Sequence, residues 1–558
     1  MTPKPTHSAM QITTRDCPPR TVWALEQAGV HPLLARLFAA RGVQAPEELD
    51  DNLVKLLSPN TLKGIDEAAQ ILVEAIEQQA HICIVADYDC DGATACAVGI
   101  RGLRMLGSKN AHYLVPDRVA DGYGLTPGIA SRVKASGAAV LVTVDNGIAS
   151  FEGVEKAHEL GMKVVVTDHH LPAMRDGIVA VPDADAIVNP NQPGCDFASK
   201  TIAGVGVMFY VLLRMRALMR DAGVFDATTQ PKLDHLLPLV ALGTVADVVS
   251  LDANNRRLVA QGLRRIRAGL LPVGMSALFQ IAGRQPQVAN TADFGFALGP
   301  RLNAAGRLAD MTLGIECLVT DDLSRATELA QSLDRINRER KTIEGHMRDQ
   351  ALALAEDMLD SDAHIPAAIC IFDPDFHEGV VGIVAARLKD IWHRPTFVFA
   401  MSQGDDTGDT LKGSGRSIPG FHLRDALDLV AKRHPGVLLR FGGHAMAAGL
   451  SLSRANFDAF AQAFAAEATR VLSPELLQAT IVSDGELSAE ELTLGCAADL
   501  AAAGPWGQAF PEPTFHGRFK LQQQRRLGEN HLKMVLSPLG DDGFLVDAIA
   551  FGVSEADW

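Results

Sequence analysis

The sequence lacks paired cysteines. It has eight cysteines, and no two of them form a CxxC pair; they are Cys17, Cys83, Cys90, Cys96, Cys195, Cys317, Cys370 and Cys496. This scatter argues against a zinc ribbon and against a disulfide framework. It is typical of a protein kept in a reducing compartment, so we expect a cytoplasmic location.

Long apolar runs are also absent. No run of about 18 uncharged apolar residues occurs, so we expect no membrane span. The first residues, MTPKPTHSAMQITTRD, lack the apolar segment of a signal peptide. The sequence shows neither a fixed-period repeat nor a low-complexity tract.

Basic residues do not predominate. The chain has 51 Lys and Arg against 67 Asp and Glu, which gives a formal net charge of −16. Such a balance argues against indiscriminate binding to nucleic acid, although it does not exclude a local basic groove. With only 4 Trp and 4 Tyr, aromatic stacking would be a minor part of binding.

What the sequence does contain is an alternation of strand and helix patterns. At 558 residues the chain is too long for one core. Four near-continuous apolar runs are typical of parallel strands buried on both faces; they are His81–Ala86, Ala111–Val115, Ala139–Val144 and Lys163–Thr167. Helical patterns at Thr94–Leu106 and Phe151–Leu160 separate them. We therefore predict an α/β fold with a doubly wound parallel sheet.

Five segments follow from these patterns. They are a helical segment at 1–55, a catalytic α/β domain at 56–250, a helical region at 251–360, a smaller α/β domain at 361–472 and a β-domain of OB-like length at 473–558. Within the third, residues 322–360 keep helical spacing without proline, which predicts one long helix joining two domains. An ordinary amphipathic surface helix is the alternative.

Three carboxylates crowd the end of the first strand. In VADYDCDGA, residues 85–93, Asp87, Asp89 and Asp91 occupy alternate positions. Carboxylates this close repel one another when ionised. A solvated acidic turn is one explanation, and a bound cation that cancels the repulsion is the other.

Acids and histidines also follow the later strands. Asp145 ends the third strand, Asp168, His169 and His170 end the fourth, and Asp247 lies in an apolar stretch further on. Because the carboxyl ends of parallel strands open onto one crevice, these side chains should meet. Carboxylates and imidazole suit Mn²⁺ or Mg²⁺. We predict a site for two divalent cations, a type of site that favours hydrolysis at phosphorus.

Cys90 lies inside the acidic turn and raises zinc–thiolate ligation as an alternative. Alternation along an extended segment would point Cys90 away from the side of Asp89 and Asp91. We therefore expect no sulfur ligand.

The motifs themselves resemble a known superfamily. DYDCDG, VDNG, VTDHH and GTVADVV resemble, in order, four motifs of the DHH phosphoesterases, and the later GSGRS and GGHAMAAG resemble the companion DHHA1 domain. GPRLNAAGR at 299–307 and the terminal β-domain narrow the resemblance to the bacterial single-strand-specific 5′-to-3′ exonucleases of this superfamily. The implied architecture has a DHH domain, a long connecting helix, a DHHA1 domain and an OB-like β-barrel.

The resemblance assigns roles to individual residues. It implies metal binding by Asp89, Asp91, Asp145, His169 and Asp247. Three further residues would complete the catalytic centre: Asp87 beside the ions, Asp168 orienting a histidine, and His170 facing the phosphate or the second ion. Substrate contacts would come from Arg118, Arg301, Asn303, Arg307, Ser414, Arg416 and His444. Surface cations and a turn histidine are the plain alternatives for Arg301, Arg307 and His444.

The implied function is metal-dependent hydrolysis of single-stranded DNA from the 5′ end to mononucleotides, in repair and recombination. Expected partners are single-stranded DNA, a single-strand-binding protein and a helicase, with the enzyme a monomer. The basic window 512–533 supports a nucleic-acid role for the last domain; it holds Arg518, Lys520, Arg525, Arg526 and Lys533 against Glu512 and Glu529.

Two other functions stay open. A DHH phosphodiesterase acting on short oligonucleotides or cyclic dinucleotides would use the same motifs, but such chains are shorter and lack the β-domain. A replication scaffold of this fold would have lost metal ligands, whereas every acid and histidine of the four motifs is present here.

Overall fold

The computed structural model describes residues 11–117, 121–122, 124–175, 177–358, 366–402, 408–528, 530–540 and 543–553. The chain forms two compact units. One is Asp51–Ala479, and the other combines Met1–Asp50 with Thr480–Trp558. Within the described ranges, no helix has both the length and the apolar content that crossing a membrane requires.

The strands of the described residues are numbered in chain order. They are β1 (Gln11–Thr14), β2 (Ile82–Ala86), β3 (Ala111–Leu114), β4 (Val140–Val144), β5 (Lys163–Thr167), β6 (Ala173–Arg175), β7 (Ile178–Ala180), β8 (Ala186–Val188), β9 (Ile369–Phe372), β10 (Thr396–Met401), β11 (Thr410–Arg416), β12 (Arg440–Gly443), β13 (Ala447–Ser453), β14 (Thr480–Ser483), β15 (Phe519–Leu527), β16 (His531–Pro538) and β17 (Val546–Phe551).

The α-helices are numbered in the same way. They are α1 (Pro19–Gln27), α2 (Pro32–Ala39), α3 (Ile65–Glu77), α4 (Cys90–Met105), α5 (Pro127–Ala135), α6 (Phe151–Glu159), α7 (Gly204–Asp221), α8 (Leu237–Ala246), α9 (Ala253–Arg267), α10 (Val273–Ile281), α11 (Thr291–Asp293), α12 (Gly299–Leu308), α13 (Thr312–Val319), α14 (Leu323–Met358), α15 (Val381–Trp392), α16 (Leu423–Arg433), α17 (Phe457–Val471) and α18 (Leu494–Ala502).

A five-stranded parallel sheet forms the core of the larger unit. Its strand order is β3-β2-β4-β5-β8. Every residue of β2 and β4 is buried, because helices cover both faces. Helices α5 and α6 pack on one face. Helix α4 lies on the other, so close that a Cβ on Gly99 would approach Ile84 Cδ1 to 2.7 Å. The predicted doubly wound sheet is confirmed.

A 36-residue helix links this sheet to a smaller domain. Helix α14 is a single helix without a break, as its spacing predicts. Its later turns contribute Met347 and Ala351 to the core of the smaller domain, where they pack with Val380 and Val384. The helix is therefore a shared structural element and not an exposed surface helix.

The smaller domain contains a sheet of order β12-β13-β11-β10-β9. Strand β11 carries the GSGRS motif, and its residues alternate between the core and the opposite face. A Cβ on Gly413 would lie 2.3 Å from Phe399 Cε1, and one on Gly415 would lie 2.4 Å from the Phe397 ring. Glycine at these positions lets the strand pack on the phenyl rings, and the period of two leaves Ser414 and Arg416 on the other face.

The second unit differs from its prediction in two ways. The N-terminal segment is not wholly helical, because β1 pairs in parallel with β14. Besides β14, the described residues of the last domain form one further sheet, the antiparallel β15-β16-β17, and the expected barrel is not seen in that part of the chain. Phe38 of α2 stacks on Trp506 and Phe510, which joins the N-terminal helices to the C-terminal residues.

A buried ion pair fastens the two parts of this unit. Arg41 donates from both terminal nitrogens to the two oxygens of Asp484, each at 2.8 Å, and both side chains are at most 1% exposed. Breaking such a pair leaves an uncompensated buried charge, so Asp484→Ala should lower the free energy of unfolding of this unit by about 3–5 kcal/mol. Urea unfolding, followed by hydrogen exchange of peptides from residues 15–50, measures the loss.

Asp547→Ala is the matched control, because the Lys533–Asp547 pair of the same unit is exposed and should contribute less than about 1 kcal/mol. Equal losses in the two variants would contradict this account of the ion pair.

Candidate metal centre

Three neighbouring strands, β2, β4 and β5, are each followed by an acidic residue at the same edge of the sheet. The residue after each strand continues the hydrogen-bond ladder: Asp87 N–H donates to Val144 O, Asp145 N–H to Thr167 O, and Asp168 N–H to Val188 O. The three carboxyl groups therefore start from one row of the sheet. This is the convergence that the parallel arrangement predicts.

The acidic turn leads directly into helix α4. Asp89 caps the helix, with Oδ1 accepting from Gly92 N–H at 3.0 Å. Asp91 lies in the first helical turn and is fully buried. Its two carboxylate oxygens accept from Gly204 N–H at 2.6 Å and Val205 N–H at 3.0 Å, at the start of α7. Burial, and next the charge of Asp89, raise the pKa of Asp91 to about 7.

Asp145 and Asp247 approach the same point from β4 and α8. Asp145 is 1% exposed and has a left-handed backbone, φ 62°, a conformation that costs energy outside glycine and often marks functional sites. Gly204 permits the contact, since a Cβ there would lie 2.7 Å from Asp145 Oδ1. Burial, followed by the charge of Asp91, raises the pKa of both Asp145 and Asp247 well above the usual range.

His169 places an imidazole nitrogen beside Asp145 and Asp247. Its Nε2 lies 3.1 Å from Asp145 Oδ1 and 3.5 Å from Asp247 Oδ2. This buried nitrogen has no hydrogen-bond partner among the described residues. Burial, and then the charge of His170, lower the pKa of His169 to about 4. The imidazole is therefore neutral at physiological pH, which is the form that ligates a metal.

His170, the next residue, has the opposite protonation state. Its Nδ1 lies 2.7 Å from Asp168 Oδ1. Although burial lowers its pKa, the hydrogen bond and charge of Asp168 outweigh burial and raise it to about 9. Asp168 Oδ2 also accepts from Ile148 N–H. Burial would raise the pKa of Asp168, but these hydrogen bonds and the histidine charges lower it.

The side chains near this edge form three overlapping clusters of potential ligands. In each cluster one ligand atom per residue lies within 4.8 Å of the others; the clusters are Asp145 with His169 and His170, Asp91 with His169 and Asp247, and Asp87 with Asp89 and Asp145. Several carboxylates and one neutral imidazole, with an unsatisfied buried nitrogen, fit hard divalent cations such as Mn²⁺ or Mg²⁺. The overlap provides ligands for two ions.

Cys90 belongs to none of these clusters. Burial, and then the charge of Asp89, raise the pKa of its thiol well above the usual range, which opposes thiolate formation. The argument that Cys90 would alternate along an extended segment is wrong, because Cys90 is the first residue of α4. The expectation of no sulfur ligand stays a prediction, and its reason is now the burial of the thiol rather than alternation along a strand.

A cavity of about 850 Å³ opens beside the clusters. It is lined by residues of the acidic turn and by Asp168 and His170, together with residues of α12 and the glycine-rich β12–β13 region; the latter are Asn303, Arg307, Gly442, Gly443 and Gly449. The larger sheet domain and the smaller domain thus form opposite walls. His444, in the turn after Gly443, is exposed, and burial followed by the charge of His170 lowers its pKa.

The other residues assigned to substrate contacts have varied surroundings. Arg301 donates to Asp334 at 3.0 Å and to the Ala297 carbonyl at 2.6 Å, so its guanidinium is tied to the protein. Asn303 Oδ1 accepts from Cys90 N–H at 2.7 Å. Arg118 lies outside the described residues.

Ser414 and Arg416 lie together on β11. Arg416 donates to Ser414 Oγ at 3.2 Å, and burial lowers the pKa of Arg416. Both face the start of α15, where a Cβ on Gly382 would lie 2.9 Å from Ser414 Oγ and 3.1 Å from Arg416 Nη2.

Two features that support the site could not be recognised in the sequence. The N–H groups of Gly204 and Val205 bind Asp91, but backbone donors carry no residue-type signal. Asp334, 4% exposed, holds both Arg301 and Arg338, yet in the sequence it reads as one charge among many on α14. An acid at a position of the helix that faces the core was the only available indication.

Comparison with known proteins gives the same outline. The family models match the N-terminal domain of the DHH family at residues 81–244, the DHHA1 domain at 364–470 and the RecJ OB domain at 483–558. Over 533 residues the chain is 50% identical to the single-stranded-DNA-specific exonuclease RecJ of Escherichia coli (strain K12), covering 95% of this chain and 91% of that protein. The chain belongs to the RecJ exonuclease family.

Solved RecJ structures share the fold. RecJ of Thermus thermophilus in complex with Mn²⁺ matches 97% of this chain and 76% of its own, with a TM-score of 0.76 and 30% identity. The complex of the same protein with Mg²⁺ has a TM-score of 0.73. The RecJ assignment covers both units of the chain, including the terminal OB domain.

The raised pKa values predict that metal binding depends on pH. Because the pKa of Asp91 is raised to about 7, metal-free Asp91 is partly protonated near neutrality, and burial favours the protonated form of Asp145 and Asp247 as well. An incoming ion must displace any proton that these carboxyl groups hold. His169 is already neutral and His170 already charged between pH 6 and 8, so the acids dominate that window. Mn²⁺ affinity should fall by about tenfold per pH unit for each displaced proton as the pH drops below 7. Calorimetry at pH 6, 7 and 8, in two buffers of different ionisation enthalpy, measures affinity and proton release. Equal affinity at pH 6 and 8 without proton release would contradict the burial argument.

Proposed function

We propose that this RecJ-family chain hydrolyses single-stranded DNA from its 5′ end to mononucleotides, in DNA repair and recombination. The observation that carries the proposal is the row of acids and His169 at one sheet edge, facing a cavity walled by two domains. A cavity of this size accommodates a terminal nucleotide, and the ligand clusters beside it suit phosphodiester hydrolysis.

The proposed metal ligands are Asp89, Asp91, Asp145, His169 and Asp247, with Asp87 beside them. When bound, two divalent cations lower the pKa of a water and neutralise charge on the phosphodiester. The protein supports this by keeping His169 neutral and by fixing Asp91 with two backbone N–H groups. These groups hold the Asp91 carboxylate in place before any ion arrives.

Asp168 and His170 act as a pair in this proposal. Asp168 accepts hydrogen bonds from the backbone and from His170, so it orients the imidazole rather than ligating an ion. The charged His170 lines the cavity, where it can bind a phosphate oxygen and hold a proton near the leaving group. Arg307 and Asn303 line the same cavity and are the proposed contacts to the adjacent backbone; His444 lies next to its glycine-lined wall.

The 5′ end would be held on the smaller domain. Ser414 and Arg416 adjoin the first turn of α15, whose N–H groups and dipole favour an anion. A terminal phosphate carries more charge than an internal one, and the arginine fork suits it. Arg118 is proposed as a further contact on the strength of its motif, and Arg301 as an indirect one through α12.

The last domain would also bind single-stranded DNA. Lys520, Arg525 and Arg526 are exposed on β15, which supports a role in holding single-stranded DNA.

We further propose that the enzyme is a cytoplasmic monomer that acts with a single-strand-binding protein and a helicase, because a single-strand-specific nuclease requires another protein to separate the strands of a duplex. The rival DHH phosphodiesterase would prefer oligonucleotides of a few residues, so relative rates on long and short strands separate the two functions.

The first test removes a proposed ligand. Asp145→Ala should reduce Mn²⁺-dependent hydrolysis of a labelled single strand by at least about 1,000-fold, because two of the three clusters share this residue. Binding of the strand should persist, since phosphate contacts come mainly from cations elsewhere. Product formation from 5′-labelled and 3′-labelled strands, with Mn²⁺, Mg²⁺ and no metal, measures activity and polarity together. Near-normal turnover of Asp145→Ala would refute the assignment of the metal site.

The second test concerns the end of the strand. Arg416→Ala should lower kcat/KM more on 5′-phosphorylated than on 5′-hydroxyl strands, by about 1.5–3 kcal/mol, the range for a hydrogen bond to a charged group, or roughly 10- to 150-fold. Competition between the two substrates in one reaction measures this ratio directly. Arg470→Ala, which removes an exposed arginine paired with Glu467 on α17, is the control. An equal loss on both substrates would show that Arg416 only supports the backbone.

A further inference from the structure

The acidic turn, residues 87–91, depends on a hydrogen-bond acceptor from a distant part of the chain. The first N–H groups of a helix have no intrahelical partner. In α4, Asp89 satisfies Gly92 N–H from within the turn. The N–H of Cys90 instead donates to Asn303 Oδ1 at 2.7 Å, across 213 residues of sequence. Cys90 is 1% exposed, so water does not offer this N–H an easy substitute.

The helix that carries Asn303 is held from two sides. On one side, α12 touches the acidic turn so closely that a Cβ on Gly306 would lie 1.8 Å from Tyr88 O. On the other, Arg301 is bound to Asp334 of α14. Asn303 therefore presents its oxygen to Cys90 from a fixed support and not from a mobile loop.

We infer that Asn303 is a positioning residue for the metal centre, in addition to its proposed contact with the substrate. The inference rests on the proposed function, because it concerns the same ligands. Asp89 and Asp91 flank Cys90, and the repulsion between them favours a more open turn. The bond from Cys90 N–H to Asn303 holds the backbone between them. Because a backbone N–H fixes which amide atom is the oxygen, Nδ2 keeps its two donors for a phosphate.

This assignment predicts a metal-binding defect that does not require DNA. Asn303→Ala should weaken Mn²⁺ binding about tenfold or more, the scale at which residues that orient metal ligands act. Asn303→Leu keeps the branched shape and the number of non-hydrogen side-chain atoms but has no acceptor, and it should show the same weakening. Asn303→Asp retains an acceptor oxygen, so its affinity for Mn²⁺ should be no more than about threefold below that of the parent chain. Free Mn²⁺, measured by electron paramagnetic resonance during titration of the DNA-free protein, gives the affinities.

Asn254→Ala is the matched control. Asn254 Oδ1 likewise accepts a distant backbone N–H, that of Leu57, at 3.1 Å, and Asn254 does not belong to the ligand clusters. This variant should lower the melting temperature in EDTA while Mn²⁺ affinity stays unchanged. Parent-like affinity in Asn303→Ala and Asn303→Leu would overturn the inference, as would an equal defect in Asn303→Asp or in Asn254→Ala. Asp145→Ala separates a failure of this inference from a failure of the proposed function. If Asp145→Ala loses Mn²⁺ binding while Asn303→Ala does not, only this inference fails.

Discussion

Mutual repulsion among buried carboxylates is the constraint on which the rest of this structure depends. Asp91 and Asp145 are at most 1% exposed, and Asp87, Asp89 and Asp247 lie beside them. Without counter-charge such a group can persist only by holding protons, which is why burial raises the pKa values of its most buried members. Divalent cations remove the conflict, because their charge replaces the protons and their coordination requires several oxygen ligands at once.

The fold stabilises these carboxylates with fixed backbone N–H groups rather than with flexible lysine or arginine side chains. The start of α4 provides a capped turn, the start of α7 provides two N–H donors to Asp91, and glycine at 204 permits the close approach of Asp145. Helix N-termini favour negative charge, so they stabilise the carboxylates while leaving outer lone pairs for an ion. Helices α12 and α14 then connect this centre to the smaller domain, where Ser414 and Arg416 lie on β11.

Much of this arrangement could be predicted from the sequence, and the remainder depends on long-range packing. Four of the five sheet strands were predicted to within a residue or two, because buried parallel strands are continuous apolar runs; the short edge strand β8 was missed. The four DHH-type motifs, in their order along the chain, indicated which acids and histidines are the candidate metal ligands. Helix α4, however, begins at Cys90 rather than Thr94, because Asp89 caps it in a segment that reads as loop. Strand β1 was missed because its partner β14 is more than 450 residues away. His169 and His170 have opposite protonation states because one is buried and the other is bonded to Asp168. Two adjacent histidines in a sequence do not reveal this difference in their surroundings.

The central claim is that two divalent cations hold these acids together at the sheet edge. Anomalous diffraction at the manganese absorption edge, from crystals of the chain grown with Mn²⁺, tests it most directly. The account predicts two anomalous peaks within coordination distance of Asp89, Asp91, Asp145, His169 and Asp247, and none at the Cys90 sulfur. A peak at Cys90 Sγ, or the absence of any peak among those five side chains in a crystal of active protein, would contradict it.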